Sequence, residues 1–181
     1  RHDMAVTFVD NHDSQPMQAL ESTVADWFKP LAYALILLRS QGFPCVFHAD
    51  YYGAAYTEQR WGEEPVDVEL RSYRPFLDVC LGLRRDLGDA DQVDAFHHSN
   101  VIGWIRRASG LAVGGLRSNG GPGAQSFDTG FPHADFLDAT GAIPGSLTTD
   151  AQGRAEFPCP GRGVSIWVSA AAQPGSAPES R

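Results

Sequence analysis

No apolar run in this chain is long enough to cross a bilayer. The best candidate, Leu31 to Leu38, falls far short of the roughly 20 residues that a spanning helix needs. Basic charge is scarce too. Lys and Arg number 14 against 22 Asp and Glu, giving a formal net charge of -8 and a pI near 5.1. An acidic surface repels phosphate, so no nucleic-acid partner is expected, and no membrane partner either. Cysteine is sparse and odd in number. Cys45, Cys80 and Cys159 show no metal-ligand spacing. Cys45 and Cys80 lie in apolar surroundings and read as small buried hydrophobes, with a Cys45–Cys80 disulfide the weaker alternative. The count leaves the location open between cytoplasm and exterior. No leader-like segment stands at Arg1, and the true start is expected upstream.

What is present is a chain that should bury a core. It has 181 residues, 43% hydrophobic and 20% charged, enough for one domain or a piece of a larger one. Ala5 to Val9 is nearly continuous in apolar residues and reads as a strand buried on both faces. Residues 10–29 read as a loop broken by Pro16. Pro30 suits the first turn of a helix whose face is Leu31, Ala32, Leu35, Ile36 and Leu38, with Gly42 as its stop. Pro44 to Phe47 reads as a second buried strand. Strand, helix, strand predicts a parallel pair with a crossover.

Asp50 to Val66 is expected to be a long loop carrying Tyr51, Tyr52, Tyr56 and Trp61. A second helix begins near Pro75, has Arg84 and Arg85 in its last turn, and ends at Gly88. Beyond it, short runs recur at 93–97, 100–106, 111–117, 134–138, 146–149, 155–158 and 163–168, parted by Gly, Pro, Asn and Asp. That spacing predicts an antiparallel sandwich. Residues 119–131 are Gly-rich and are read as lacking a strand. The organisation expected is α/β over 1–90, all-β over 91–169, and a disordered tail over 170–181.

The chemistry concentrates at Phe8-Val9-Asp10-Asn11-His12-Asp13. An apolar strand ends there in carboxylates, an amide and an imidazole, at the strand end where barrel enzymes place their sites. This string resembles the strand-seven motif of the α-amylase clan of glycoside hydrolases. Trp27-Phe28-Lys29-Pro30-Leu31-Ala32-Tyr33-Ala34 and Gly42-Phe43-Pro44-Cys45-Val46-Phe47 resemble its bacterial liquefying-type members, among them the maltohexaosidases. Val101-Ile102-Gly103-Trp104 and Gly163-Val164-Ser165-Ile166-Trp167-Val168 carry a looser likeness.

The resemblance implies a (β/α)8 TIM barrel, of which this chain holds strands seven and eight, followed by a C-terminal β-sandwich. A missing N-terminal barrel part becomes the implied partner, because two barrel strands leave edges and an apolar face for neighbours to cover. It also implies an α-1,4-glucan substrate (starch, glycogen or maltodextrin) cut with retention. The family's nucleophile and acid come from strands upstream of this chain. Asp13 matches the family's third carboxylate, a transition-state stabiliser, and His12 its substrate-binding neighbour. Trp61 is the best candidate among the loop aromatics for stacking on sugar.

Two departures from the family pattern stand out, in addition to the Gly-rich stretch over 119–131. His48-Ala49-Asp50 replaces tyrosine-glycine-aspartate, and a positive φ at Ala49 would cost about 1 kcal/mol. Asn100 and Asn119 stand where some relatives have aspartates that bind calcium. No metal or other cofactor is expected in this chain, although calcium remains compatible with the intact enzyme. The adjacent His97 and His98 are read as a solvated strand end. Two functions compete. One is the C-terminal part of an α-amylase-type hydrolase, inactive as this chain alone. The other is a non-catalytic truncated product or glucan-binding module.

Overall fold

The computed structural model describes residues 4–108 and 110–169, so the tail read as disordered lies outside the described residues. Strand β1 (Val6–Phe8) and strand β2 (Phe43–Cys45) pair in parallel, Val6 opposite Phe43 and Phe8 opposite Cys45. The crossover between them holds helix α1 (Lys29–Leu38). Pro30 lies in its first turn, where a fixed φ and a missing N–H cost nothing. Leu31, Ala34 and Leu38 repeat at helical spacing and are buried. Gly42, at φ 78°, then turns the chain into β2, and a Cβ added there would stand 3.0 Å from the Ala5 carbonyl oxygen and from Thr7 Cγ2.

Helix α2 (His48–Tyr52) follows β2 directly. The segment expected to be a loop is in fact this helix plus an antiparallel hairpin, β3 (Ala54–Glu58) and β4 (Val66–Leu70). Only the turn of the hairpin is irregular. Helix α3 (Arg74–Leu87) buries Leu77, Cys80, Leu83 and Leu87 and stops at Gly88 with φ 48°.

The remaining chain is strand-rich. β5 (Asp91–Ala95), β6 (Val101–Ala108), β7 (Leu111–Ser118), β8 (Gly123–Asp128), β9 (Asp135–Asp138), β10 (Ser146–Thr148), β11 (Arg154–Cys159) and β12 (Gly163–Ser169) form two antiparallel sheets. The larger runs β10-β9-β12-β7-β6-β5, and β8 pairs with β11 alone. β8 lies inside the Gly-rich stretch read as strandless. Its inward positions are Gln125 and Phe127, and the Gln125 amide donates to the Val101 carbonyl at 2.9 Å. His97 and His98 lie past the end of β5, and His98 Nδ1 accepts the N–H groups of Asn100 and Val101.

Neighbouring residues of the larger sheet serve opposite faces, as the pleat requires. Trp104, Val113 and Ile166 pack with Leu31, Leu37, Leu77 and Leu83 of α1 and α3. Ile105, Ala112 and Trp167 pack with Phe127 and Phe157 of the β8–β11 ribbon. The helices and the sheet therefore share one core.

The first strand is not buried on both faces. Val6 is 66% exposed, Phe8 54% and Phe43 60%, because no described residue covers that side of the β1–β2 pair. Cys45, expected to be buried, is exposed for the same reason, whereas Cys80 and Cys159 are buried. All three thiols are free.

Candidate active site

Asn11, His12 and Asp13 form a tight turn at the carboxyl end of β1. The Asn11 side-chain oxygen accepts the N–H groups of Asp13 at 2.9 Å and Ser14 at 3.0 Å. The Ser14 hydroxyl accepts the Asn11 N–H at 3.1 Å and donates back to the Asn11 carbonyl. A side-chain amide replacing a backbone turn bond is what asparagine does best. With the turn locked, the His12 and Asp13 side chains point outward. His12 Nε2 stands 3.2 Å from Asp13 Oδ1, and the side chains are 82% and 57% exposed. Asp13 also lines a shallow pocket of about 240 Å³ with Phe8, Asn11, Ser14, Leu20 and Ser22, and it is the only carboxylate there. This arrangement can hydrogen-bond a polyol. Among the described residues no second carboxylate lines this pocket, and a retaining glycosidase needs a pair about 5–5.5 Å apart.

Beneath the turn lies a buried charged cluster. Lys29 Nζ sits 2.5 Å from Asp50 Oδ1 and 2.9 Å from Asp10 Oδ2. The Asp50 contact is a hydrogen bond, whereas the Asp10 contact is an ion pair too bent to count as one. Tyr33, one turn along α1, donates to the other Asp50 oxygen at 2.6 Å. Asp10 also accepts the Val24 N–H at 3.2 Å. Lys29, Asp10 and Asp50 are each at most 5% exposed. Burial pulls the Lys29 ammonium down, but Asp50 and Asp10 outweigh it and hold its pKa above the ordinary lysine value. Burial and the Asp50 carboxylate push the Tyr33 phenol far up.

The sequence reading placed Asp10 in the motif and Lys29 and Asp50 in strings that carry or depart from the resemblance, but did not join the three. The available signal was a lysine on the apolar face of α1, four residues before a tyrosine.

Trp61 stands fully in solvent on the turn between β3 and β4. That hairpin is tied to the segment after the motif. Tyr56 donates to the Pro16 carbonyl at 2.7 Å, and Arg60 pairs with Glu21 at 2.5 Å. Trp61 is thus held on the side of the chain that carries the motif but makes no contact with the His12–Asp13 turn. Ala49 lies within α2, 5% exposed, and is not among the residues of positive φ, so the anticipated strain does not arise. His48 stacks on Tyr52 with ring centroids 4.7 Å apart.

Among the described residues, no three His, Cys, Asp or Glu side chains gather as metal ligands would. Asn100 and Asn119 are both exposed amides, and the Asn100 side chain lies against Gly120.

The chain is 42% identical over 173 residues to an α-amylase of Geobacillus stearothermophilus, a match covering 91% of this chain and 29% of that protein. It is also 42% identical over 173 residues to a glucan 1,4-alpha-maltohexaosidase of Bacillus sp. (strain 707), covering 91% of this chain and 31% of that protein. Its fold is similar to that of an α-amylase from Malbranchea cinnamomea, with a TM-score of 0.62 at 13% identity, over 97% of this chain and 39% of that one. No protein-family model matches the chain. The chain spans less than a third of the length of the two bacterial relatives. It belongs to the α-amylase family as a segment of that size.

Proposed function

We propose that this chain is the C-terminal portion of an α-amylase-type endo-hydrolase of α-1,4-glucans. In this reading β1 and β2 are strands seven and eight of a catalytic (β/α)8 barrel within residues 1–90. Residues 91–169 are the family's C-terminal β-sandwich. The observation that carries the reading is an open His12–Asp13 pair at the carboxyl end of a strand whose apolar flanks, Val6, Phe8 and Phe43, lie bare. Bare apolar flanks on a parallel pair suit strands that continue into a larger barrel.

Asp13 then acts as a stabiliser of the transition state rather than as nucleophile or acid. Its carboxylate accepts hydrogen bonds from hydroxyls of the sugar ring at the cleavage point, and His12 bonds beside it. These bonds shorten as the ring flattens toward the oxocarbenium ion, so they lower the barrier more than they tighten binding. Trp61, fully exposed, offers an apolar ring face to a sugar further along the chain. For calcium, the donor set argues against a tight site, since Asn100 and Asn119 supply no charge.

The test is Asp13→Asn in the intact enzyme. Turnover on starch should fall by about a hundredfold or more, with the melting temperature held. Near-normal hydrolysis would overturn the role.

A second reading, a product without catalysis, rests on Asp13 being the only carboxylate of its pocket. It predicts that this chain binds maltodextrin and cleaves none, and that no full-length transcript continues upstream with barrel strands.

A further inference from the structure

We infer that Lys29 is a positioning residue, a single ammonium that fixes the His12–Asp13 turn against the end of the neighbouring strand. The inference rests on the catalytic reading of that turn given above. Lys29 is the only lysine in the chain; the other basic residues are all arginine. It sits where a lysine is costly. It is 5% exposed, and it lies in the first turn of α1, where the helix dipole disfavours a cation.

A residue kept only for stability would be better replaced by an apolar one, since buried ion pairs seldom outdo good packing. Rules of local consistency are broken most often where function demands it.

The contacts say what the demand is. Asp10 is the residue immediately before Asn11-His12-Asp13, so its carboxylate is the root of the motif turn. Asp50 belongs to α2, which follows β2, and sits beside the half-buried Tyr51 and the exposed Tyr52. Lys29 touches both, at 2.9 and 2.5 Å. One ammonium therefore clamps the lips of two adjacent parallel strands to a common point.

Tyr33 completes the clamp. It holds the second Asp50 oxygen from the same helix face, and its own oxygen receives the Phe47 N–H at 3.4 Å. The Tyr73 ring lies 5.7 Å from the ammonium, and the Tyr73 N–H donates to the Asp50 carbonyl at 2.7 Å. Lysine rather than arginine suits the site, because a compact ammonium fits between two carboxylates that a planar fork would force apart.

Two variants test this. In the intact enzyme, Lys29→Met should lower kcat on maltodextrin more than tenfold while KM stays within about threefold, the split expected of a displaced transition-state contact. A folded Lys29→Met enzyme with wild-type kcat would overturn the proposal. Lys29→Met strands two buried carboxylates and can fail to fold, so Asp10→Asn carries the test independently. It keeps an acceptor for Val24, leaves Lys29 paired with Asp50, and removes only the tie to the turn.

The readout for Asp10→Asn is amide exchange in the full 181-residue chain. The Asp13 and Ser14 amides should exchange at least tenfold faster, with the amides of β6 and β7 unchanged. Unaltered exchange in the turn would overturn the clamp and leave the catalytic reading of Asp13 standing. A loosened turn together with a fully active Asp13→Asn enzyme would keep the clamp and remove the catalytic reading.

Discussion

Gly114 and Gly115 are adjacent in β7, yet alanine should affect them in opposite directions. Gly115 lies opposite Trp104 on the neighbouring strand. A Cβ at Gly115 would stand 2.5 Å from Trp104 Cζ2 and 2.6 Å from Cε2. Carbon atoms prefer about 3.5–4.0 Å, so the overlap is roughly 1 Å. Trp104 has nowhere to go, because its ring is fully buried in the core shared by the sheet, α1 and α3.

Overpacking of this kind costs about 1–3 kcal/mol. Replacing glycine returns about 0.4–1 kcal/mol through the unfolded chain. Gly115→Ala should therefore lose roughly 1–2 kcal/mol, or about 2–8 °C for a chain of this size. At Gly114 the nearest atom to a built Cβ is 3.9 Å away, an ordinary contact. Gly114→Ala should be neutral or gain a few tenths of a kcal/mol to about 1 kcal/mol. Urea unfolding followed by tryptophan fluorescence reads both. Equal shifts, or a Gly115→Ala variant more stable than the parent, would refute the packing argument.

Two further outcomes follow from the thiols and phenols. In the native 181-residue chain a thiol reagent should modify Cys45 alone. Burial pushes the Cys80 thiol well up and the Cys159 thiol to about 11, so both should react only in denaturant; native labelling of Cys80 would contradict the core described. Burial also raises the Tyr33 phenol and lifts Tyr73 to about 12, and the carboxylate pair raises Lys29. Each of these groups holds its proton more tightly folded than unfolded, so its contribution is whole below about pH 10 and drains away as pH rises toward 12. The urea midpoint should fall across that window, and fall less in Tyr73→Phe. A midpoint unchanged at about pH 11 in the parent would count against it.

Much of the fold was legible because it follows local period. The apolar run of α1, the Pro at the start of each long helix and the turn residues between short strands give the positions of these elements away, although α1 buries Tyr33, Ala34 and Leu37 where Ala32, Leu35 and Ile36 were expected. One miss comes from stabilisation outside the segment. β8 is Gly123-Ala124-Gln125-Ser126-Phe127-Asp128, and its alternation is hidden because a glutamine fills an inward position and satisfies a backbone carbonyl there. β4 is Val66-Asp67-Val68-Glu69-Leu70, an alternation that was readable and was passed over, whereas β3 offers only Tyr56 and two alanines and exists through its pairing with β4. The β1 strand was misjudged in the other direction. Its apolar run argues for burial, but no described residue covers Val6 or Phe8.

The motif turn could be read from sequence because its asparagine, histidine and aspartate are consecutive. The clamp beneath it could not, because its members Asp10, Lys29 and Asp50 meet only after the crossover folds back. Charged residues of that kind carry a strong expectation of solvent exposure.

The core shared by α1, α3 and the six-stranded sheet has a practical meaning for recombining such proteins. A crossover placed between α3 and β5, at 88–90, looks natural on composition alone. It would marry Leu31, Leu37 and Leu83 from one parent to Trp104, Val113 and Ile166 from another. Protein cores pack at crystal-like density, so mismatched surfaces there are seldom tolerated. The inheritable block runs instead from the start of α1 through β12, and a graft that respects it should exchange the helices and the sheet together.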